Sequence, residues 1–249
     1  MLESSIDTGL YKKGFIGGIK VSDSVAKTRE EVIQSENYNG IYNKYIKRVI
    51  GLLLAILFLL ILWPIYLVIA IMIVIDTGFP VFYRADRCGY NNKTFKIFKF
   101  RTMVKDADKI GGGTTALNDS RITKVGAILR KTKLDEIPQL LNIINGTMSF
   151  IGPRPELLRY TEQYSGEEEL ILQVRPGITD YSSIQFINLD EIVGGDNADE
   201  MYEKYVLEEK NKLRVKYAKT VSFVNDIKIF FLTVFKTLKK IVSVISKKK

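Results

Sequence analysis

The stretch from Val49 to Ile75 carries no charged residue, and nothing else in the chain constrains its fold as strongly. As a helix it would extend roughly 40 Å, enough to cross a bilayer core of about 30 Å. It is longer than the apolar run of a cleaved leader and ends without a small-residue cleavage site, so it reads as a membrane segment rather than a signal peptide. Trp63-Pro64 falls near its middle, where proline removes a backbone hydrogen bond and bends a helix. Both flanks are basic: Lys44, Lys47 and Arg48 precede it, and Arg84, Arg87, Lys93, Lys96, Lys99 and Arg101 follow it. Lys and Arg concentrate on the cytoplasmic side, and a spanning helix cannot put both flanks there. Two readings stand at this point. A kinked helix crosses the membrane, or a helix enters, bends at Pro64 and returns to the same face.

Two absences narrow the chemistry. The chain has no histidine and one cysteine, Cys88. Ser-His-Asp catalysis, histidine-ligated metals, an intrachain disulfide and a Cys cluster are excluded. A metal would be a hard cation on oxygen ligands, with Mg²⁺ the expected one. A nucleophile or base must be a carboxylate, Lys, Tyr, Ser, Thr or that thiol. The formal charge is +9, and ten basic residues against one acid, Asp226, place that whole excess between Leu213 and Lys249. A balanced body with a basic tail argues against nucleic acid and for an anionic surface as partner.

The remaining pattern suggests short elements. Val81–Arg84 and the alternating Thr94–Phe100 read as a β-hairpin across a turn at Arg87–Asn92. Asp106–Ser120, with its triple glycine, reads as a mobile loop, and Ile122–Arg130 and Ile137–Ile144 as short helices. A further short helix is expected at Ser24–Ile33. Near the end, Ile227, Phe230, Phe231, Val234, Phe235, Leu238, Ile241, Val242 and Ile245 follow helical spacing on one face. Such a stripe packs on the protein's own core or lies in a membrane interface.

The densest chemistry runs from Arg130 to Arg154. Asp135-Glu136 follows Arg130, Lys131 and Lys133, and Arg154 stands between two prolines. Asp135 could cap a helix that Pro138 opens. Two acids among arginines also suit phosphoryl transfer, with carboxylates for the attack or the metal and stiff arginines for phosphate oxygens. Arg175, in Arg175-Pro176-Gly177, is a second such arginine or a plain surface turn.

The ordered set Lys47-Arg48, an apolar segment with a central proline, Arg87-Cys-Gly, Phe95-Lys-Ile-Phe-Lys-Phe-Arg101, Leu134-Asp-Glu-Ile-Pro-Gln-Leu-Leu-Asn142, Met148-Ser-Phe-Ile-Gly-Pro-Arg154-Pro and Arg175-Pro-Gly-Ile-Thr179 resembles the bacterial sugar transferases. These are monotopic polyprenyl-phosphate phosphoglycosyl transferases, and the resemblance covers roughly Tyr42 to Ile245. It implies that a UDP-sugar gives its sugar 1-phosphate to undecaprenyl phosphate, leaving undecaprenyl-diphosphate-sugar and UMP, as a first step of glycan assembly. It implies Asp135 as the nucleophile of a covalent intermediate and Glu136 as a Mg²⁺ ligand. Arg101, Arg130, Arg154 and Arg175 are then phosphate-binding residues. It also implies the re-entrant form of the membrane helix, with the catalytic domain on the cytoplasmic face of the bacterial inner membrane. Three departures stand out. Trp63 precedes the bending proline where serine is common, Thr147 replaces an aspartate, and Asp180-Tyr181-Ser182-Ser183 replaces Gly-Trp-Ala-Gln. The last stretch bears on sugar choice, so the sugar is not readable.

The expected fold is α+β: a compact, mostly helical cytoplasmic domain with a small β-hairpin, anchored by a re-entrant helix and amphipathic interface helices. Residues 1–43 form a loosely ordered lead, 44–78 the re-entrant helix bent at Pro64, 79–212 the catalytic core, and 213–249 the basic interface helix and tail. Its partners are the UDP-sugar, undecaprenyl phosphate and membrane lipids, with no nucleic acid, and a homo-oligomer stays open. Two rivals remain: a silent membrane adaptor, which has no need of Arg130, Asp135, Glu136 and Arg154 together, and a lipid diphosphate hydrolase using the same acids.

Overall fold

The computed structural model describes residues 37–110, 113–115, 119–194 and 197–246. Most of the lead, the helix expected at Ser24–Ile33 and part of the glycine loop lie outside these residues. The described chain is mostly helical, with helices α1 (Lys47–Thr77), α2 (Lys124–Thr132), α3 (Gln139–Ile144), α4 (Leu158–Thr161), α5 (Tyr181–Gln185), α6 (Leu189–Val193), α7 (Ala198–Tyr205), α8 (Leu207–Thr220) and α9 (Phe223–Ser246). Strands β1 (Phe82–Cys88) and β2 (Thr94–Phe100) form the expected antiparallel hairpin, with Phe82 opposite Phe100 and Cys88 opposite Thr94. A second pair, β3 (Ser149–Ile151) and β4 (Gly177–Thr179), is parallel and was not expected.

Helix α1 runs without interruption through Pro64. Its sequence is apolar on every side, yet its two faces differ in surroundings. Gly51, Ala55, Phe58, Leu62, Tyr66, Ile69 and Ile73 recur every three or four residues and turn toward the domain. Ala55, Phe58 and Leu62 join Phe95, Ile97, Leu140, Ile143 and Met148 in one core cluster. Tyr66, Ile69 and Ile73 join Phe100 and Leu129 in another. The opposite face, including Leu60, Ile61, Trp63, Val68 and Ile75, is exposed. Both ends are fastened to the same domain. Arg48 donates to the carbonyls of Ile143 and Ile144 in the last turn of α3. At the far end Arg101 donates to Thr77 Oγ1 at 2.6 Å and to the Gly78 carbonyl at 2.5 Å. Asp76 accepts from the Val125 N–H in the first turn of α2, at 3.3 Å.

Three sequence features set the frame of the interior. Asn142 is fully buried; its Oδ1 accepts from the Phe98 N–H and its Nδ2 donates to the Lys96 carbonyl, each at 2.8 Å. The amide thus completes the free edge of β2 and fixes α3 against the hairpin. Gly152 and Gly177 let β3 and β4 approach closely: a Cβ on Gly177 would sit 2.2 Å from the Gly152 nitrogen. A third device joins α1, α8 and α9. Asp226 accepts from Lys47 at 2.9 Å, from the Tyr42 hydroxyl at 2.7 Å and from the Tyr217 hydroxyl at 2.6 Å.

Helix α9 bears on the choice left for its apolar stripe. Among the side chains described, its buried ones are Asp226 and Ile229, while Thr233 meets Thr179 at 2.9 Å and Lys240 donates to the Ile187 carbonyl at 2.8 Å. Ile227, Phe230, Phe231, Val234, Phe235, Leu238 and Val242 are exposed. These seven positions of the stripe are therefore not covered by the protein's own core.

Candidate active site

Helix α2 ends at Lys133, whose left-handed backbone (φ 60°) turns the chain into a single tight turn, Leu134–Glu136. That turn carries both carboxylates. Asp135 caps no helix: α3 starts after Pro138 with no side-chain cap. Asp135 is 6% exposed, and its Oδ1 is buried without a hydrogen-bond partner. Such a group costs about 1–3 kcal/mol in a folded protein and calls for a reason.

Glu136 is placed differently. Arg154 grips it with both terminal nitrogens, Nη1 reaching Oε2 at 3.0 Å and Nη2 bonding Oε1. Lys99 from β2 lies 3.5 Å from Oε1. Arg154 is aimed by its surroundings: its Nη1 also donates to the Ile178 carbonyl at 2.9 Å, and its backbone N–H meets Asp180 Oδ2 at 3.3 Å. Asp180 is fully buried and also caps α5 through the Ser183 N–H at 2.7 Å. Beyond Arg154, Glu156 accepts from Arg214 at 2.8 Å and from the Tyr202 hydroxyl, and Lys210 donates to Tyr202 at 3.2 Å. Arg214 and Tyr202 are buried, so this network fixes the chain two residues beyond Arg154.

The electrostatics separate the two adjacent acids. Burial, then the charge of Glu136, pushes the Asp135 carboxyl up, and Lys99, Lys133 and Arg130 offset this only in part. Burial acts on Glu136 in the same direction, but Arg154, Lys99 and Lys133 outweigh it and hold this carboxyl well below the usual range. Neighbouring carboxyls pushed apart in this way are suited to different tasks. A carboxylate with raised basicity is the better nucleophile of the two.

Of the residues singled out in the sequence, Asp135, Glu136 and Arg154 meet in one place, and the charge of Arg130 acts on Asp135. Arg101 has its guanidinium turned to the end of α1, with Nε and Nη1 buried and unpartnered. Arg175 lies over the Tyr90 ring at 5.1 Å and lines a cavity with Lys47 and Arg48. Lys99 belongs to the site although it drew notice only as part of a basic strand. Asp180, visible in sequence as a departure from the family pattern, holds the backbone of Arg154.

Mg²⁺ is bound through one or two carboxylates with substrate phosphate and water, rather than by a cage of protein ligands. Among the described residues no group of three or more acidic or cysteine side chains converges on one point. The unpartnered Asp135 Oδ1 beside Glu136 fits a cation that arrives with a diphosphate.

The domain thus combines a long apolar helix fastened at both ends with a buried aspartate and, next to it, a glutamate clamped by an arginine. The chain belongs to the bacterial sugar transferase family, whose profile matches residues 42–240. It is 38% identical over 198 residues to the UDP-glucose:undecaprenyl-phosphate glucose-1-phosphate transferase of Escherichia coli K12, covering 78% of this chain and 40% of that protein. It is 42% identical over 122 residues to a putative undecaprenyl-phosphate N-acetylgalactosaminyl 1-phosphate transferase of Bacillus subtilis, 49% of this chain and 68% of that one. To EpsL of Bacillus subtilis, an uncharacterized sugar transferase, it is 36% identical over 194 residues, 78% of this chain and 87% of the relative. The match spans about two fifths of the length of the E. coli and Klebsiella pneumoniae glucose-1-phosphate transferases.

Proposed function

We propose that the protein transfers a sugar 1-phosphate from a UDP-sugar to undecaprenyl phosphate. An Asp135 oxygen attacks the phosphorus that bears the sugar, and the bond to the uridylate phosphate breaks, releasing UMP. The resulting aspartyl phosphosugar is attacked by an oxygen of undecaprenyl phosphate, which returns the carboxylate and gives undecaprenyl-diphosphate-sugar. The observation that carries this reading is the division within the pair: Asp135 is buried with an unpartnered oxygen, while Glu136 is tied to Arg154. No histidine is needed, because a carboxylate attacks in its ionised form. Asp135 and Glu136 would hold Mg²⁺ together with the diphosphate, and the ion would supply charge neutralisation at the bond that breaks. Arg154, backed by Asp180 and Ile178, orients phosphate oxygens, and Arg130 and Lys99 add positive charge.

The membrane seat is part of the same reading. The exposed face of α1 and the exposed stripe of α9 enter the cytoplasmic leaflet of the inner membrane, as interface helices do. Both ends of α1 are fastened to one domain, which favours entry and return on the same face over a crossing.

Purified protein given undecaprenyl phosphate, Mg²⁺ and a panel of UDP-sugars should release UMP and form a lipid-linked product. UMP without lipid product would point to hydrolysis, and no UMP across the panel would point to an adaptor. Asp135→Asn should abolish turnover; full retention would overturn the nucleophile assignment. Cysteines placed near Lys44 and Lys93 should label from the same side of the membrane.

A further inference from the structure

Residues 180–183, where this chain departs from the family pattern, are engaged within the fold. Asp180 and Ser182 are fully buried. Asp180 Oδ1 accepts from the Ser183 N–H and from the Ser183 hydroxyl, each at 2.7 Å. The Ser182 hydroxyl lies 2.8 Å from Oδ1 and 2.9 Å from Oδ2. Oδ2 also accepts from the Arg154 N–H at 3.3 Å. Tyr181 turns elsewhere: its hydroxyl donates to Asn225 Oδ1 on α9, and Lys216 lies over its ring at 5.4 Å. All four side chains therefore have partners in the protein itself.

A helix cap alone does not call for this arrangement. Asn, Ser or Thr caps a helix with one oxygen on one N–H. A buried carboxylate is costlier than a neutral cap unless its lone pairs are filled, and here Ser182 and Ser183 fill them. The second oxygen reaches Arg154, 26 residues earlier in the chain. The same segment takes the other end of that arginine, since the Ile178 carbonyl accepts from Nη1 at 2.9 Å. The strand pairing supports the register: the Gly152 N–H donates to the Thr179 carbonyl at 3.0 Å, and the Gly177 N–H to the Pro153 carbonyl at 3.1 Å. Held at its main chain and at its guanidinium, Arg154 meets Glu136 with two nitrogens. Burial acts to lower Arg154, and the charges of Glu136, then Asp135 and Asp180, outweigh it and raise this group.

We infer that Asp180, with Ser182 and Ser183 as its donors, is a positioning residue that sets Arg154 against Glu136, and that residues 180–183 do not select the sugar. This role deepens the transfer reading and rests on it for its kinetic consequence. A grip that acts through Arg154 bears on phosphate, which every UDP-sugar shares. Loosening it should slow transfer by one common factor and leave the choice among sugars untouched. Misplacing a positioned group by about 1 Å costs about a hundredfold, so loss of one supporting contact is expected to cost about tenfold.

Two measurements on the full chain in detergent test this. Hydrogen exchange, read by mass spectrometry, compares the wild type with Asp180→Ala. Exchange should rise around Arg154 and in Leu134–Glu136, while the hairpin β1–β2 keeps its protection. Unchanged exchange in Leu134–Glu136, or an equal rise in the hairpin, overturns the positioning role. UMP release with undecaprenyl phosphate and Mg²⁺ then gives kcat for each UDP-sugar that the wild type accepts. Asp180→Ala should lower kcat about tenfold, by the same factor for every sugar, with Asp180→Asn intermediate. In an Arg154→Lys background the same substitution should cost less than about twofold, because a group that acts through Arg154 loses its effect with it; a merely structural aspartate would cost about tenfold again. Full kcat in Asp180→Ala, or additive losses in the double variant, overturns the positioning role. A changed order of preference, or a sugar newly accepted, overturns the statement about sugar choice. Should Asp180→Ala fail to fold, Asp180→Asn and Ser183→Ala, which weaken the same grip, carry both measurements. Absence of a lipid-linked product from the wild type with any sugar would defeat the transfer reading, and the exchange comparison would still decide on Asp180.

Discussion

Asp226→Ala removes one acceptor shared by Lys47, Tyr42 and Tyr217, whose contacts run at 2.9, 2.7 and 2.6 Å. Lys47, 8% exposed, then keeps its charge with the Tyr217 hydroxyl as its remaining close partner. Truncating one member of a buried ion pair costs about 3–5 kcal/mol. For a domain of this size each kcal/mol moves Tm by about 2–4 °C, so the expected fall is about 6–20 °C. The double variant Lys47→Met, Asp226→Leu should recover much of that loss, because it removes the stranded charge together with its partner. The pH dependence has a definite sign. Burial pushes Lys47 down, and Asp226 pulls it back. Without Asp226 the unfolded chain binds this proton more readily than the fold does. The stability of Asp226→Ala should therefore rise as pH is raised toward the ordinary lysine value of about 10.4. Thermal unfolding of the full chain in detergent, from neutral to alkaline pH, checks all three points. A loss under about 1 kcal/mol, a double variant as unstable as the single, or a deficit independent of pH would refute the reasoning.

Asn142→Leu should destabilise by about 2–3 kcal/mol, since it strands the Phe98 N–H and the Lys96 carbonyl, and should lower transfer by shifting Lys99 against Glu136; denaturant unfolding and UMP release read the two effects. Arg154→Lys keeps the charge but loses the two-pronged grip on Glu136, and about a hundredfold fall in kcat is expected. Burial would raise Glu156, but Arg214 and Lys210 overcome it and hold this carboxyl down at about 2. A depressed carboxyl stabilises the fold above its unfolded value and loses that contribution as pH falls through the folded one. About 3 kcal/mol should therefore disappear between roughly pH 4.5 and pH 2, and Glu156→Gln should flatten that limb of the stability curve.

The hairpin was legible because Phe95 and Ile97 alternate with exposed Thr94 and Lys96, so a half-buried strand wrote its own period. Helix α9 was legible for the matching reason at helical spacing. What α1 does with its two faces was not, because a segment apolar all round carries no contrast between the side that meets protein and the side that does not. The parallel pair β3–β4 was invisible because three residues are too few for a period, and its partners are far apart in sequence. At the site, charge density pointed to Asp135, Glu136 and Arg154. It gave no distances, so Arg175, equally basic and followed by a proline, read as their neighbour although it stacks on Tyr90 and lines a cavity with Lys47 and Arg48. Asn142 looked like one polar residue in a motif, and its work on the β2 edge depends on a contact made 44 residues away.

Asp226 is the sole acid between Leu213 and Lys249, and the fold withdraws it into contact with Lys47. A membrane facing α9 therefore meets Lys228, Lys236 and Lys239 with no opposing charge from that stretch. Each lysine near an anionic leaflet is worth about 1 kcal/mol, and the attraction fades beyond a screening length of about 8 Å at physiological salt. Burying one carboxylate thus gives the last helix a one-signed electric face, so that in the proposed membrane seat ionic strength and leaflet composition, rather than side-chain fit, would set how firmly this end of the molecule is held.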